Sequence, residues 1–196
     1  MIINDGAGTG AQARVDSLKR LHTDAKSTSI LEYSALKGDA YNFNTGSMTL
    51  TTAGESAVGY FEYLDDFPFV IEEILFIIGA TTGGSGDGTA KIYRNPTGGT
   101  IVSGAVPVEV ASNRDFSSSK QPVANMYKGA EGNTITGGTV FASSSRSSFG
   151  TVITFDGGPI VLRKGNTLAV SWTPPTGNTS QTVKVAATGF TDRSVD

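Results

Sequence analysis

Short apolar runs, separated by clusters of Gly, Asn, Pro and Ser, follow one another from about residue 30 to the end of the chain. The runs recur every 8–15 residues or so, and that spacing predicts strands. No stretch in this region shows the period of roughly 3.6 residues that marks an amphipathic helix. We therefore expect an all-β domain in which two packed sheets form a jelly-roll-like β-sandwich. The twelve predicted strands span residues 40–43, 47–52, 57–63, 68–78, 90–94, 100–102, 106–110, 134–141, 151–155, 160–163, 167–173 and 182–188.

Several of these runs alternate apolar and polar side chains, as a strand with one buried face does. Leu168, Val170 and Trp172, for example, fall on one face of the strand predicted over 167–173. The only tryptophan of the chain is therefore expected in the core, where its large ring has most to bury.

The run 68–78 does not alternate, because it is apolar at nearly every position except Glu72 and Glu73. A sandwich core covers only one face of a strand, so the second face needs the N-terminal segment, a long loop or another subunit to cover it. The acidic pair is a candidate β-bulge. Strict alternation puts Val70, Ile74, Phe76 and Ile78 on one face, and on the other face the expected subunit interface, Phe69, Ile71, Leu75 and Ile77.

Residues 1–29 differ from the rest of the chain because they contain few large apolar side chains and several cations. Such a segment buries too little surface to offset the entropy lost on ordering. We therefore divide the chain into an extended N-terminal docking arm, 1–29, and a β-sandwich domain, 30–196. The arm residues expected to bind a partner are Arg14, Leu18, Lys19, Arg20, Leu21 and His22.

Composition excludes several classes of protein. The net charge of −3 and the absence of Lys and Arg from residues 38–90 make nucleic-acid binding unexpected. The absence of cysteine removes disulfides, thiolate metal sites and thiol nucleophiles. No apolar run reaches the roughly 20 residues of a membrane span, and the first residues do not follow the layout of a signal peptide. We expect a protein made in the cytoplasm that does not bind membranes.

The residues needed for catalysis do not come together in the sequence. His22 is the only histidine, and it lies in the predicted arm, far from any strand end. The pairs Asp65–Asp66 and Glu72–Glu73 are adjacent, so their side chains point to opposite faces of a strand. The Gly-rich loop 82–88 precedes a strand, whereas a phosphate-binding loop precedes a helix. We expect no enzymatic activity, no metal and no cofactor.

The chain resembles virion structural proteins of tailed bacteriophages over about residues 12–196. The resemblance is carried by turn and strand-edge residues in a characteristic order. These are Val15-Asp16-Ser17 through Arg20-Leu21-His22, Gly38-Asp39-Ala40-Tyr41, Asn44-Thr45-Gly46, Asn113 with Phe116-Ser117-Ser118, Tyr127-Lys128-Gly129, Thr134 to Gly137-Gly138, Val161-Leu162-Arg163-Lys164-Gly165-Asn166 and Pro174-Pro175-Thr176-Gly177-Asn178-Thr179.

This resemblance implies a jelly-roll domain that assembles as a homotrimer and decorates the outer surface of an icosahedral capsid. The implied partner is the major capsid protein, and the implied location is the virion. The alternative is a receptor-binding or carbohydrate-binding jelly roll of a phage fibre or tail, whose function would lie in the loops around Ser85, Ser117 and Ser145.

Overall fold

The computed structural model describes residues 2–4, 12–15, 21–22, 29–104, 106–107, 111–147, 151–155 and 158–193. The helices are α1 (Ile30–Leu36) and α2 (Thr100–Ser103). The strands are β1 (Ile2–Asn4), β2 (Gln12–Val15), β3 (Leu21–His22), β4 (Ala40–Asn44), β5 (Met48–Leu50), β6 (Ser56–Tyr63), β7 (Phe69–Ile78), β8 (Asp87–Arg94), β9 (Val106–Pro107), β10 (Ala111–Asn113), β11 (Ala124–Lys128), β12 (Thr139–Ser147), β13 (Thr151–Phe155), β14 (Ile160–Leu162), β15 (Thr167–Thr173) and β16 (Gln181–Thr191).

Eight of these strands wind into the jelly-roll arrangement. One sheet, which we call the first sheet, has the order β4-β16-β7-β13, and the second sheet has the order β6-β15-β8-β12. The first of the eight strands along the chain thus pairs with the last, the second with the seventh, the third with the sixth and the fourth with the fifth. This nesting is what a long antiparallel hairpin gives when it rolls up into two sheets. The expected all-β sandwich is confirmed.

The remaining strands extend this framework. In the first sheet, β10 pairs with β4, β5 with β16 and β14 with β7; in the second sheet, β11 pairs with β6 and β9 with β11. The strands β1, β2 and β3 pair antiparallel in a third sheet of their own. The division of the chain at residue 29 stays a prediction.

Helix α1, which the sequence pattern did not reveal, covers part of the outer face of the first sheet. It begins at a capping residue, Ser29, whose Oγ accepts a hydrogen bond of 3.1 Å from the backbone N–H of Glu32. It contacts β4 and β16. Ala40 and Phe190, which pair with each other and point away from the sandwich interior, are therefore buried.

The core lies between the two sheets and contains the predicted trio Leu168, Val170 and Trp172. The Trp172 indole N–H donates to Oε1 of buried Gln181 at 2.9 Å, and Nε2 of Gln181 donates to the carbonyl of Gly79. The largest buried side chain is thus satisfied as a hydrogen-bond donor, as a buried tryptophan requires.

A β-bulge at Glu72 decides which residues of β7 face the core. Thr188 of β16 lies opposite Glu73, but the next residue of β16, Gly189, lies opposite Ile71, so Glu72 is the extra residue. An extra residue reverses the alternation beyond it. The inward set of β7 is therefore Phe69, Ile71, Ile74, Phe76 and Ile78.

The bulge corrects the expected subunit interface. Phe69 and Ile71 are buried in the core of a single chain, so neither is available to a second copy. Phe69 packs against four aromatic rings, with centroid distances of 5.3–6.5 Å to Tyr41, Phe43, Phe61 and Tyr63. Leu75 and Ile77 are half-buried on the outer face of the first sheet. For these two residues the interface remains a prediction.

Truncation of two side chains of β7, one on each side of the bulge, tests whether the alternation of inward and outward residues reverses at Glu72. Phe69→Ala is expected to lower the free energy of unfolding by about 3–5 kcal/mol, because it leaves a cavity among packed rings. Leu75→Ala removes a half-exposed side chain and is expected to cost about 1 kcal/mol. Urea unfolding followed by tryptophan fluorescence measures both changes. Equal losses would mean that β7 alternates without interruption.

Candidate docking surfaces

A cluster of charged residues closes one end of the sandwich. The carboxylate of Asp39, just before β4, is buried and lies 3.4 Å from Nζ of Lys120 and 3.4 Å from Nε of Arg193. Nη2 of Arg193 also donates to Asp65 at 2.9 Å, and the guanidinium stacks 4.4 Å from the ring centroid of Phe67. These contacts line a cleft of about 450 Å³. They tie the chain after β16 to the start of β4 and to the loop after β6.

Two buried tyrosines adjoin this cluster. Burial raises the pKa of Tyr41 and that of Tyr63 from 10.0 to about 12, and the nearby carboxylates add to the effect while Arg193 opposes it. Oη of Tyr63 lies 3.4 Å from Oγ1 of Thr191. Both phenols are thus held neutral, and neither is suited to act as a base near neutral pH.

A second polar cluster lies on the outer face of the second sheet. Burial alone would raise the pKa of Glu55, but hydrogen bonds from Lys91 (2.8 Å), Ser171 (2.6 Å) and Tyr93 (2.7 Å) hold it below its usual value. A carboxylate kept ionised by three donors is a poor general acid or base. The Ser171 hydroxyl is fully buried and donates to Glu55, so it is not exposed as a nucleophile.

Metal-binding clusters and membrane-spanning helices were sought among the residues that the structure describes. Among them, no group of three or more His, Asp or Glu side chains is placed to hold a metal ion. No helix in the described ranges is long and apolar enough to span a membrane. Two groups of exposed apolar side chains are candidates for contact with another molecule.

The first exposed apolar surface lies on α1 and on a neighbouring loop, and we call it the helix corner. Ile30, Tyr33 and Leu36 fall at intervals of three residues on the outward side of α1, and Leu36 is 69% exposed. Phe116, at the tip of the loop after β10, is 96% exposed. The helix corner comprises these four residues.

The loop that carries Phe116 is fixed to the end of α1 by Asn113. The side-chain amide of Asn113 donates to the carbonyl of Gly38 at 2.8 Å and to the carbonyl of Lys120 at 3.2 Å, and its Oδ1 accepts from the N–H of Asp115. Gly38 has a φ of +70°, and a Cβ there would lie 2.4 Å from Oγ of Ser118. These contacts hold the backbone of the loop against the end of α1, and the Phe116 side chain extends from that loop into solvent.

The second exposed apolar surface, which we call the strand patch, lies on the outer face of the first sheet beyond α1. Val152 of β13 lies opposite Ile77, and Val161 of β14 lies opposite Val70. Val152 and Val161 are about half exposed, at 54% and 49%. The strand patch comprises Val70, Leu75, Ile77, Val152 and Val161. The strand patch, which Lys184 of β16 borders opposite Ile77, is a candidate contact surface.

The structure describes only part of the predicted docking arm. Arg14 lies in β2, and Leu21 and His22 lie in β3, where Arg14 and His22 are opposite each other in the pairing. Leu18, Lys19 and Arg20 lie outside the described residues. The role of these six residues in docking stays a prediction.

Sequence reasoning singled out two of the five residues of the strand patch and missed the helix corner. Leu75 and Ile77 were expected at an interface, whereas Val152 and Val161 needed the register of β13 and β14 on β7. The helix corner had one usable signal, the Ser29…Glu32 capping pattern before a run with apolar residues at positions 30, 33 and 36. Nothing in the sequence places Phe116 beside that helix.

Comparisons with known proteins add little. No model of a protein family matches the chain, and no curated protein matches it. Among solved structures, the chain resembles one described as "Structure of infectious bursal disease virus Gt strain", with 12% sequence identity and a TM-score of 0.16. The alignment covers 80% of this chain and 41% of that chain, so this chain spans about two fifths of the other's length. Similarity at this level establishes neither a shared fold nor a shared function.

The buried tyrosines give the end of the sandwich a dependence on pH. An unfolded chain ionises its tyrosines near pH 10, whereas folding holds Tyr41 and Tyr63 neutral to about pH 12. The stabilisation that comes from keeping these two tyrosines neutral is therefore fully present below about pH 9. Between pH 10 and 12 the free energy of unfolding falls by about 1.4 kcal/mol per pH unit for each tyrosine. Urea unfolding at several pH values measures this slope.

A double variant, Tyr41→Phe and Tyr63→Phe, is expected to flatten the slope in this interval. A smaller decline remains, since burial also raises the pKa of Tyr60 and that of Tyr93. An unaltered slope in the double variant would contradict the assignment.

Proposed function

We propose that the protein is a non-enzymatic structural protein of a virus particle, and specifically a decoration protein that docks as a homotrimer on the outer surface of the capsid and stabilises it. The observation that carries the proposal is the pair of apolar surfaces, the helix corner and the strand patch, on a closed jelly-roll sandwich. Such a molecule is built to contact other proteins.

The polar clusters agree with this assignment. Arg193 pairs with both Asp39 and Asp65, and Glu55 accepts hydrogen bonds from Lys91, Tyr93 and Ser171 of the second sheet. Their hydrogen bonds join separate segments of the chain, which is what a rigid shell component needs. The jelly-roll arrangement occurs in viral capsid proteins and also in lectins and cupins, so by itself it supports the proposal only as an analogy.

The proposed mechanism relies on several weak contacts made together. In a trimer, three N-terminal segments project from one body, and each segment binds a neighbouring subunit of the major capsid protein. Linked contacts of this kind raise the overall affinity far above that of one segment. Bridging neighbouring subunits also resists outward pressure from packaged genome. The residues proposed to make the contact are Arg14, Leu18, Lys19, Arg20, Leu21 and His22.

Co-sedimentation with capsids tests this proposal. The full-length chain is mixed with capsids purified without it, in parallel with a chain that starts at Ser29. The full-length chain is expected to sediment with capsids at a saturating ratio, and the shortened chain is expected to stay in the supernatant, because it lacks the docking segment. Thermal release of packaged DNA, followed by a dye, then reports the stabilisation of the particle.

A change of charge within the segment gives the control for folding. Lys19→Glu with Arg20→Glu leaves residues 30–196 intact and is expected to reduce capsid binding while the unfolding transition of the domain stays the same. If neither the full-length chain nor the shortened chain sediments with capsids, decoration is excluded. A fibre or tail module that binds a receptor or carbohydrate then becomes the favoured reading.

A further inference from the structure

The two apolar surfaces lie on different halves of the same sheet. Helix α1 sits over β4 and β16, and the loop with Phe116 follows β10, which is the edge strand beside β4. The strand patch lies over β7, β13 and β14, toward the opposite edge. One chain therefore presents two unlike apolar surfaces that face outward from neighbouring regions of one sheet and do not cover each other.

The two surfaces have complementary shapes. The helix corner is convex, since a helix and an almost fully exposed Phe116 stand out from the sheet. The strand patch is the pleated face of three paired strands, with half-buried Leu75 and Ile77 in its centre. A ridge on a flat apolar face gives the close packing that a specific interface requires. Because the bonds of Asn113 restrain the backbone of the loop, burial of Phe116 orders mainly its side chain.

Charged residues of both signs border the two surfaces. Arg114 is exposed beside Phe116, next to the half-buried Asp115, and it forms no ion pair within the part of the chain that the structure describes. On the strand patch, Glu72 and Glu73 lie between Val70 and Leu75, and Lys184 of β16 lies opposite Ile77 further along the same face. Neither glutamate forms an ion pair among the described residues. An arginine that meets the glutamate end of the strand patch would orient the contact.

A second copy of the chain is the partner that has both features. A contact between unlike surfaces of identical subunits is head-to-tail, and it closes into a ring when the rotation from one subunit to the next allows it. Each subunit of a ring uses its helix corner once and its strand patch once. Neither surface is then left exposed.

We propose that the chain assembles head to tail, with the helix corner of one copy packed on the strand patch of the next. Arg114 then faces Glu72 and Glu73 across the contact. The inference rests on the homotrimer of the proposed function, and it deepens that function by naming the two halves of the subunit contact. Leu75 and Ile77, expected at an interface from the sequence, lie at its centre.

A mixing experiment with two defective variants tests the head-to-tail contact. Phe116→Glu breaks the helix corner and Val152→Glu breaks the strand patch; both positions are at least half exposed, so the fold is retained. Light scattering after size exclusion is expected to give three copies for the original chain and one copy for each variant alone. In an equimolar mixture, the intact corner of one variant meets the intact patch of the other, and a pair with one copy of each is expected.

The control is Val140→Glu, which places a new carboxylate on a half-exposed valine of the second sheet. It is expected to leave the trimer intact. The inference is overturned if either defective variant remains a trimer, if the mixture yields no mixed pair after chemical cross-linking, or if the original chain is a monomer. A Val152→Glu trimer that no longer sediments with capsids would show that the strand patch binds the capsid instead. Co-sedimentation of the original chain with capsids tests the decoration proposal separately from all of these outcomes.

Charge reversal provides a second, independent readout. Arg114→Glu and Glu73→Arg are each expected to weaken assembly by roughly tenfold, because each places like charges together. The double variant is expected to recover assembly, since the pair is restored with its signs exchanged. Failure of the double variant to recover, with both single variants impaired, would show that these residues do not face each other.

Discussion

The single extra residue in β7 determines which side chains of this central strand point into the core and which point to the outer face of the first sheet. Because β7 is apolar on both faces, either face is able to pack against the second sheet. The bulge at Glu72 lets Phe69 and Ile71 point inward together with Ile74, and it leaves Leu75 on the outer face. The aromatic cluster around Phe69 and the outer strand patch are therefore two consequences of one local irregularity. Without it, one of the two would be lost.

The helix corner shows how polar residues far apart in sequence build an apolar surface. Asn113 lies 75 residues from Gly38, yet its amide joins the loop after β10 to the end of α1. Ser118, whose Oγ also accepts from this amide, lies where a side chain at Gly38 would stand. Gly38, Asn113 and Ser118 thus have a structural role in this chain, because together they hold the loop after β10 against the end of α1.

The local pattern of apolar and polar residues predicted the fold class. It failed for segments whose secondary structure depends on tertiary contacts. The strand 167–173 was placed correctly because alternation and flanking turns agree there. The run 100–102, in which all three residues are β-branched, was expected as a strand, but it forms part of α2, which packs Ile101 on the second sheet. Strand β11 was missed because its half-buried residues show weak alternation. The serine-rich residues 143–147 were interpreted as a loop, yet they pair with β8 throughout.

The candidate surfaces, too, could be predicted from the local pattern only in part. Sequence alone indicated that a second face of β7 needs a cover and that Glu72–Glu73 is a candidate bulge. Strict alternation nevertheless put Phe69 and Ile71 on that face, and only the register with β16 fixes the extra residue at Glu72 and turns these two side chains inward. The register places Leu75 and Ile77 on the half of the outer face that α1 does not cover. The end of α1 is closed over β4 and β16 by a backbone hydrogen bond of 2.8 Å from the N–H of Asp39 to the carbonyl of Ser34. On the other half, Leu75 and Ile77 are half-buried and Val152 and Val161 are about half exposed, so a single chain leaves apolar side chains of the first sheet uncovered there, and the proposed contact between copies would bury them.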